Sequence, residues 1–359
     1  MRSHVVWMSA VSCGLGLLAF STSARAEEQT GAGPVATPTP VVLTGEVGGG
    51  QTTPSPTSGT SSFFYQRGAG RFSPTPKLEL AATFRATEDL PRSPDKGSSY
   101  ATKGDVVFYG GIDGAYDISE HFTLTLGING SPSSRRDIGT SILATQPNGA
   151  SGNVDAAVRA ETNSVGGLFE VGYDSANDTG DAHDVDIALD LSPAVTRFGT
   201  TQSVLAPDVA AAAIKPRTAS LVQGRLGSAA TLTILQNTDL SLDLAYFVYN
   251  QKNPGDIGLF NASTASGLTT SFGAGLPMLP PRFTVRPEIG ERLGRVRLSA
   301  FYQYANLEVE SATGHTIGGR AQIAIGEVKV FAVGSYRSDV FTDATATTWT
   351  AGVGVSLRL

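Results

Sequence analysis

The sequence predicts an all-β fold, an antiparallel up-and-down transmembrane β-barrel of about twelve strands, and three observations carry that expectation. Apolar residues recur at every second position over long stretches, the signature of a strand with one apolar face. The joints between these stretches alternate between short and long. From Phe63 onward almost nothing repeats with the 3.6-residue period of a helix.

The clearest alternations are Phe122, Leu124, Leu126, Ile128; Val185, Ile187, Leu189, Leu191; Leu240, Leu242, Leu244, Tyr246, Val248; and Val328, Val330, Ala332, Gly334, Tyr336. Many run to about ten residues or more, the length a tilted strand needs to cross a bilayer. Short joints fall at Ile118-Ser119-Glu120, 175–183, Asn237-Thr238, 291–294 and Gly326-Glu327. Long joints rich in Gly, Pro and Asn fall at about 87–104, 132–162, 196–216, 252–281, 310–314 and 339–345. The stretch Gly267 to Met278, followed by Pro280 and Pro281, is assigned to a long loop, because an extra strand there would make the count odd. The final WTAGVGVSLRL alternates Trp349, Ala351, Val353, Val355, Leu357 and Leu359 with small or polar residues. Such a strand fits a closed barrel, in which the last strand pairs with the first and leaves no edge.

A soluble sandwich would also alternate, but its strands average five or six residues and its joints need not alternate in length. Aromatic residues at the ends of apolar faces (Phe84, Tyr116, Phe122, Tyr173, Tyr246, Tyr304, Tyr336 and Trp349) fit interfacial girdles.

Composition sets the compartment. Arg2 and His4 precede an apolar run from Val5 to Phe20 and an Ala24-Arg25-Ala26 site, so residues 1–26 read as a secretory signal peptide. The single cysteine among 359 residues is Cys13, inside that run, so neither disulfides nor thiolate metal sites support the remainder. A net charge of −6 with no basic cluster argues against nucleic acid as a partner. Residues 27–70 contain ATPTPVV and VGGGQTTPSPTSGTSS and read as a disordered periplasmic segment. The barrel is expected over 71–359, with short turns on the periplasmic side and long loops outside.

Over roughly residues 70 to 359 the chain resembles the Gram-negative outer-membrane β-barrel class, porin-like in architecture. The resemblance rests on the paired strands and the aromatic and aliphatic C-terminal strand, although Leu359 stands where that class usually has Phe or Trp. It implies residence in the outer membrane among lipid and lipopolysaccharide. It also implies recognition of the last strand by the barrel-assembly machinery.

If the apolar face meets lipid, the other face lines a lumen. The early strands bring Asp105, Asp113, Glu170, Asp186, Asp190 and Asp243 to that face, and the last strands bring Arg286, Arg295, Arg297, Arg320, Lys329 and Arg337. Segregated charge of this kind would set a transverse field across a pore for small hydrophilic solutes. The same charges could instead pair across a narrow barrel and close it.

Two further readings stay open: a non-conducting structural or adhesion barrel acting through its loops, and a barrel enzyme acting on lipid. The enzyme reading would draw on Glu310, Ser311 and His315. The acidic stretch DSANDTGDAHDVD from Asp174 to Asp186 lacks EF-hand spacing and reads as a solvated turn. No HExxH, GxSxG or phosphate-loop pattern occurs, and no cofactor or metal is expected.

Overall fold

The computed structural model describes residues 41–55, 61–90, 106–145, 151–175, 185–205, 217–234, 237–250, 281–307, 312–340 and 345–359. They form fourteen strands. In chain order these are β1 (Val42–Ser55), β2 (Ser61–Thr75), β3 (Leu78–Asp89), β4 (Val106–Asp117), β5 (Phe122–Thr145), β6 (Ser151–Asp174), β7 (Val185–Leu205), β8 (Arg217–Ile234), β9 (Thr238–Tyr249), β10 (Pro281–Leu293), β11 (Val296–Leu307), β12 (Thr313–Ile325), β13 (Val328–Val340) and β14 (Thr345–Arg358). Each pairs antiparallel with its chain neighbours, and β1 pairs with β14 to close the barrel. Closure leaves no row of unpaired backbone groups toward lipid, the condition for a sheet to span a bilayer.

The expected count of about twelve strands is therefore corrected to fourteen, with β1 and β2 added. Both lie in or run into the segment expected to be disordered. Its Gly48-Gly49-Gly50 run is a strand because neighbouring rings occupy the space that side chains would fill. A Cβ on Gly48 would stand 2.5 Å from Cζ of Tyr65, and one on Gly50 would stand 2.6 Å from Cζ of Phe63. Glycine in a strand commonly marks such a close approach. Because a hairpin adds two strands at once, the even count survives and both ends of the barrel lie on the short-turn side.

The short joints at 118–120 and 326–327 are where the alternation places them, the one expected at 291–294 falls at 294–295, and most of 175–183 lies outside the described residues. Gly294 and Gly326 have φ of 63° and 62° in the two-residue turns after β10 and β12. A left-handed residue matches such a turn to the twist of its flanking strands. Two long joints are shorter than expected. The ladder between β5 and β6 continues to Thr145 opposite Ser151, so most of 132–162 is paired hairpin. Strand β7 likewise runs on to Leu205, its far end paired with β6. These extensions alternate too weakly in hydropathy to read as strand. Residues 1–26 and the stretch Gly267 to Met278 lie outside the described residues.

The exterior is apolar. Leu80, Ile112, Leu126, Ile128, Leu189, Leu242, Ile289 and Val353 are among a belt of exposed aliphatic residues. Tyr116 and Phe122 lie toward the short-turn end of this belt; Tyr246, Tyr302, Tyr336 and Trp349 lie toward the other. An apolar surface of this extent is stable only against lipid.

Candidate functional site

Alternate residues of every strand point inward, and the interior divides along the barrel axis. Toward the long-loop end Phe63, Tyr65, Leu221, Phe247, Ala305, Leu307 and Ala346 are buried, with Leu221 and Phe247 each at 1% exposure. Toward the short-turn end the wall carries charged residues among apolar ones and surrounds a cavity of about 350 Å³ lined by residues of eleven strands.

Three aromatic rings lie against the inner face of the barrel, each over glycine on a neighbouring strand and beside arginine. Tyr65 lies over Gly48 and Gly352, with the guanidinium carbons of Arg67 and Arg85 at 4.8 and 5.8 Å from its centroid. Phe331 lies over Gly354 and carries Arg320 at 4.0 Å. Phe301 lies over Gly318 and carries Arg286 at 4.2 Å. A guanidinium over a ring face gains cation–π attraction.

The same arginines are held along their own strands. Positions i and i+2 share a face, and four arginines hydrogen-bond the residue two further on. Arg85 Nε donates to Thr87 Oγ1 at 3.2 Å, Arg286 Nη2 to Glu288 Oε2 at 2.5 Å, Arg320 Nη2 to Gln322 Oε1 at 2.9 Å and Arg337 Nη2 to Asp339 Oδ1 at 2.6 Å. Stacking and i+2 bonding together keep long cationic side chains on the wall and out of the lumen.

Of the residues singled out from sequence, Asp113, Glu170, Arg320 and Lys329 line the cavity. Asp243 and Arg286 form a bridge of 3.9 Å between β9 and β10. Arg297 reaches past Gly290 to Asp239 at 2.6 Å. Arg337 is buried against Asp339, itself 1% exposed, near the long-loop end. Asp186 and Asp190 lie on the inward parity of β7, half-buried. Arg295 is placed differently: it follows Gly294 in an exposed turn and does not belong to the wall. Asp105 lies outside the described residues, as do Glu310, Ser311 and the middle of the Asp174 to Asp186 stretch. His315 sits on the outer face with Nδ1 2.7 Å from the Tyr302 hydroxyl.

Sequence reasoning missed Glu46, Tyr65, Arg67 and Arg71, which arrive with β1 and β2, and also Asp239 and Asp339. The charge pairing is local, along a strand or to a near neighbour, in every bridge described. Closure through β14 and β1 extends the basic wall beyond the last strands. From β12 round to β3 the cavity is lined by Arg320, Lys329, Arg67, Arg71 and Arg85 against Glu46 and Glu79. From β4 to β8 it is lined by Asp113 and Glu170 against Arg225.

No family model matches the chain, and no curated protein matches it in sequence. Solved structures do match in fold. One described as a FadL homologue of Pseudomonas aeruginosa superposes with TM-score 0.57 at 10% identity, covering 89% of this chain and 90% of that one. The CymD monoaromatic hydrocarbon channel gives TM-score 0.54 at 10% identity, covering 90% and 89%. The Pseudomonas putida toluene transporter TodX gives 0.52 at 11% identity, covering 90% of each.

Proposed function

This chain is an outer-membrane β-barrel, with lipid against its apolar belt, and we propose that it is a channel for small molecules whose route is the lumen. The observation that carries this reading is the cavity of about 350 Å³ inside a closed wall, lined by charged and apolar residues alike, with Arg320 stacked on Phe331 rather than crossing it. A merely structural barrel has no need to hold its cationic side chains flat.

The solute class narrows from the hydrophilic range expected from sequence. Phe63, Leu221, Phe247 and Leu307 fill the long-loop half of the interior, so a solute passing there must displace or slide along apolar side chains. That favours small apolar or amphiphilic molecules over sugars and ions. The fold relatives described as a monoaromatic hydrocarbon channel and a toluene transporter support the same class. Transport through such a lumen is passive diffusion, with the packed half as its narrowest part.

Purified barrel reconstituted in a planar bilayer tests the reading. Infrequent, discrete ohmic steps in about molar salt, with faster uptake of toluene than of arabinose into vesicles, are the expected result. A folded, heat-modifiable barrel that passes neither current nor toluene would overturn it.

A further inference from the structure

We propose that the β12 to β3 wall of the cavity is a carboxylate-binding station, and that the molecules it takes are small organic anions with a compact apolar body. This deepens the channel reading and rests on it only for how the anion arrives.

Five bases, Arg320, Lys329, Arg67, Arg71 and Arg85, share that wall of one cavity with two acids, Glu46 and Glu79. The wall is continuous across the closure, since β14 pairs with β1 and β1 with β2. Arg320 is the best placed to receive a carboxylate. Its guanidinium is fixed in plane by the Phe331 ring at 4.0 Å and by Gln322 at 2.9 Å. A planar fork held in position loses little freedom when it forms the two parallel bonds a carboxylate accepts. Lys329 follows on the adjacent strand, paired in register with Ser356, and both line the cavity. The other arc carries Asp113 and Glu170 against Arg225, an excess of acid that favours an anion at the basic wall, so the field selects orientation as well as charge.

The rest of the lining supplies the apolar complement. Ala69, Ala81, Ala115 and Leu168 come between the charged positions, and a cavity of about 350 Å³ has room for a single-ring acid. A sugar would meet this aliphatic surface with hydroxyls, and an organic cation would meet five like charges against only two acids.

The test uses the folded barrel in detergent, with heat-modifiability as the folding control and equilibrium dialysis of benzoate, benzyl alcohol and benzylammonium as the readout. Benzoate is expected to bind saturably and at least about 10-fold more tightly than the other two, and the binding should weaken with added salt. Arg320→Gln with Lys329→Gln should weaken benzoate about 10-fold and leave benzyl alcohol unchanged. Arg320→Lys, which keeps the charge without the fork, should lose an intermediate amount. Equal binding of benzoate and benzyl alcohol, or undiminished benzoate binding by the double variant, overturns the station. A barrel that binds benzoate but passes neither current nor toluene sinks the channel and leaves the station standing. One that conducts but ignores benzoate sinks the station alone.

Discussion

The two halves of the interior are built from the same alternating strands and do opposite things. At the long-loop end the inward positions carry Phe63, Leu221, Phe247, Leu307 and the buried Arg337 to Asp339 pair, packed as a protein core is packed. At the short-turn end they carry charges around open space. The difference teaches that a barrel lumen is no single environment. A charge in the packed half is a structural commitment, whereas one in the open half lines the space a solute would cross.

The contrast can be broken most forcefully in the packed half. Replacing Phe247 and Leu221 by Ala should cost about 2–5 kcal/mol per site, as large-to-small core substitutions do, read as a lower urea midpoint in lipid vesicles. The same double variant should raise single-channel conductance, since it removes the largest fully buried side chains from the lumen. Conductance unchanged at that cost would place the restriction elsewhere.

Next in size is Arg337→Ala, which leaves the Asp339 carboxylate at 1% exposure without its bidentate partner. Breaking a buried pair from one side costs about 3–5 kcal/mol. Arg337→Leu with Asp339→Leu should recover most of that loss, and a double variant as weak as the single would show that the pair serves more than its own neutralisation.

In the open half the expected effects are on selectivity. Arg320→Gln should shift the reversal potential in a salt gradient toward cations while moving the urea midpoint little. Arg297→Gln removes a partly exposed bridge to Asp239 and should cost no more than about 1 kcal/mol. Arg295→Gln, in its exposed turn, should change neither quantity. If Arg295→Gln shifts selectivity as much as Arg320→Gln, the open half does not govern it.

The sequence made most of the wall legible, for a physical reason: a strand between lipid and a polar lumen must alternate, and β14 does so throughout while β9 and β13 do so over most of their length. Strands β1 and β2 were hidden because their contrast is carried by another strand's rings. Gly48 and Gly50 read as flexible in one dimension, yet Tyr65 and Phe63 fill those positions in three. The lumen charges were legible as a set, but their partners were not. Asp339 and Glu288 become readable once an arginine on the inner parity is matched to the polar residue two positions on, a pattern shared by Arg85, Arg286, Arg320 and Arg337. Arg295 was misplaced because it shares the inward parity of Arg297 but stands in the turn, one position before β11 begins.

The seam between β1 and β14 sets the order of events in folding. The Leu359 amide donates to the Val41 carbonyl at 2.9 Å, and the Thr44 hydroxyl bonds that of Ser356, a residue 312 positions away. Contacts so distant along the chain close last, because the loop entropy of the whole chain stands against them until the intervening hairpins have formed. Until that moment the other strands make an open ribbon with two sticky margins, ready to capture any chain of similar kind. The rate of sealing, more than the depth of the final well, therefore decides how much of this protein reaches its membrane intact.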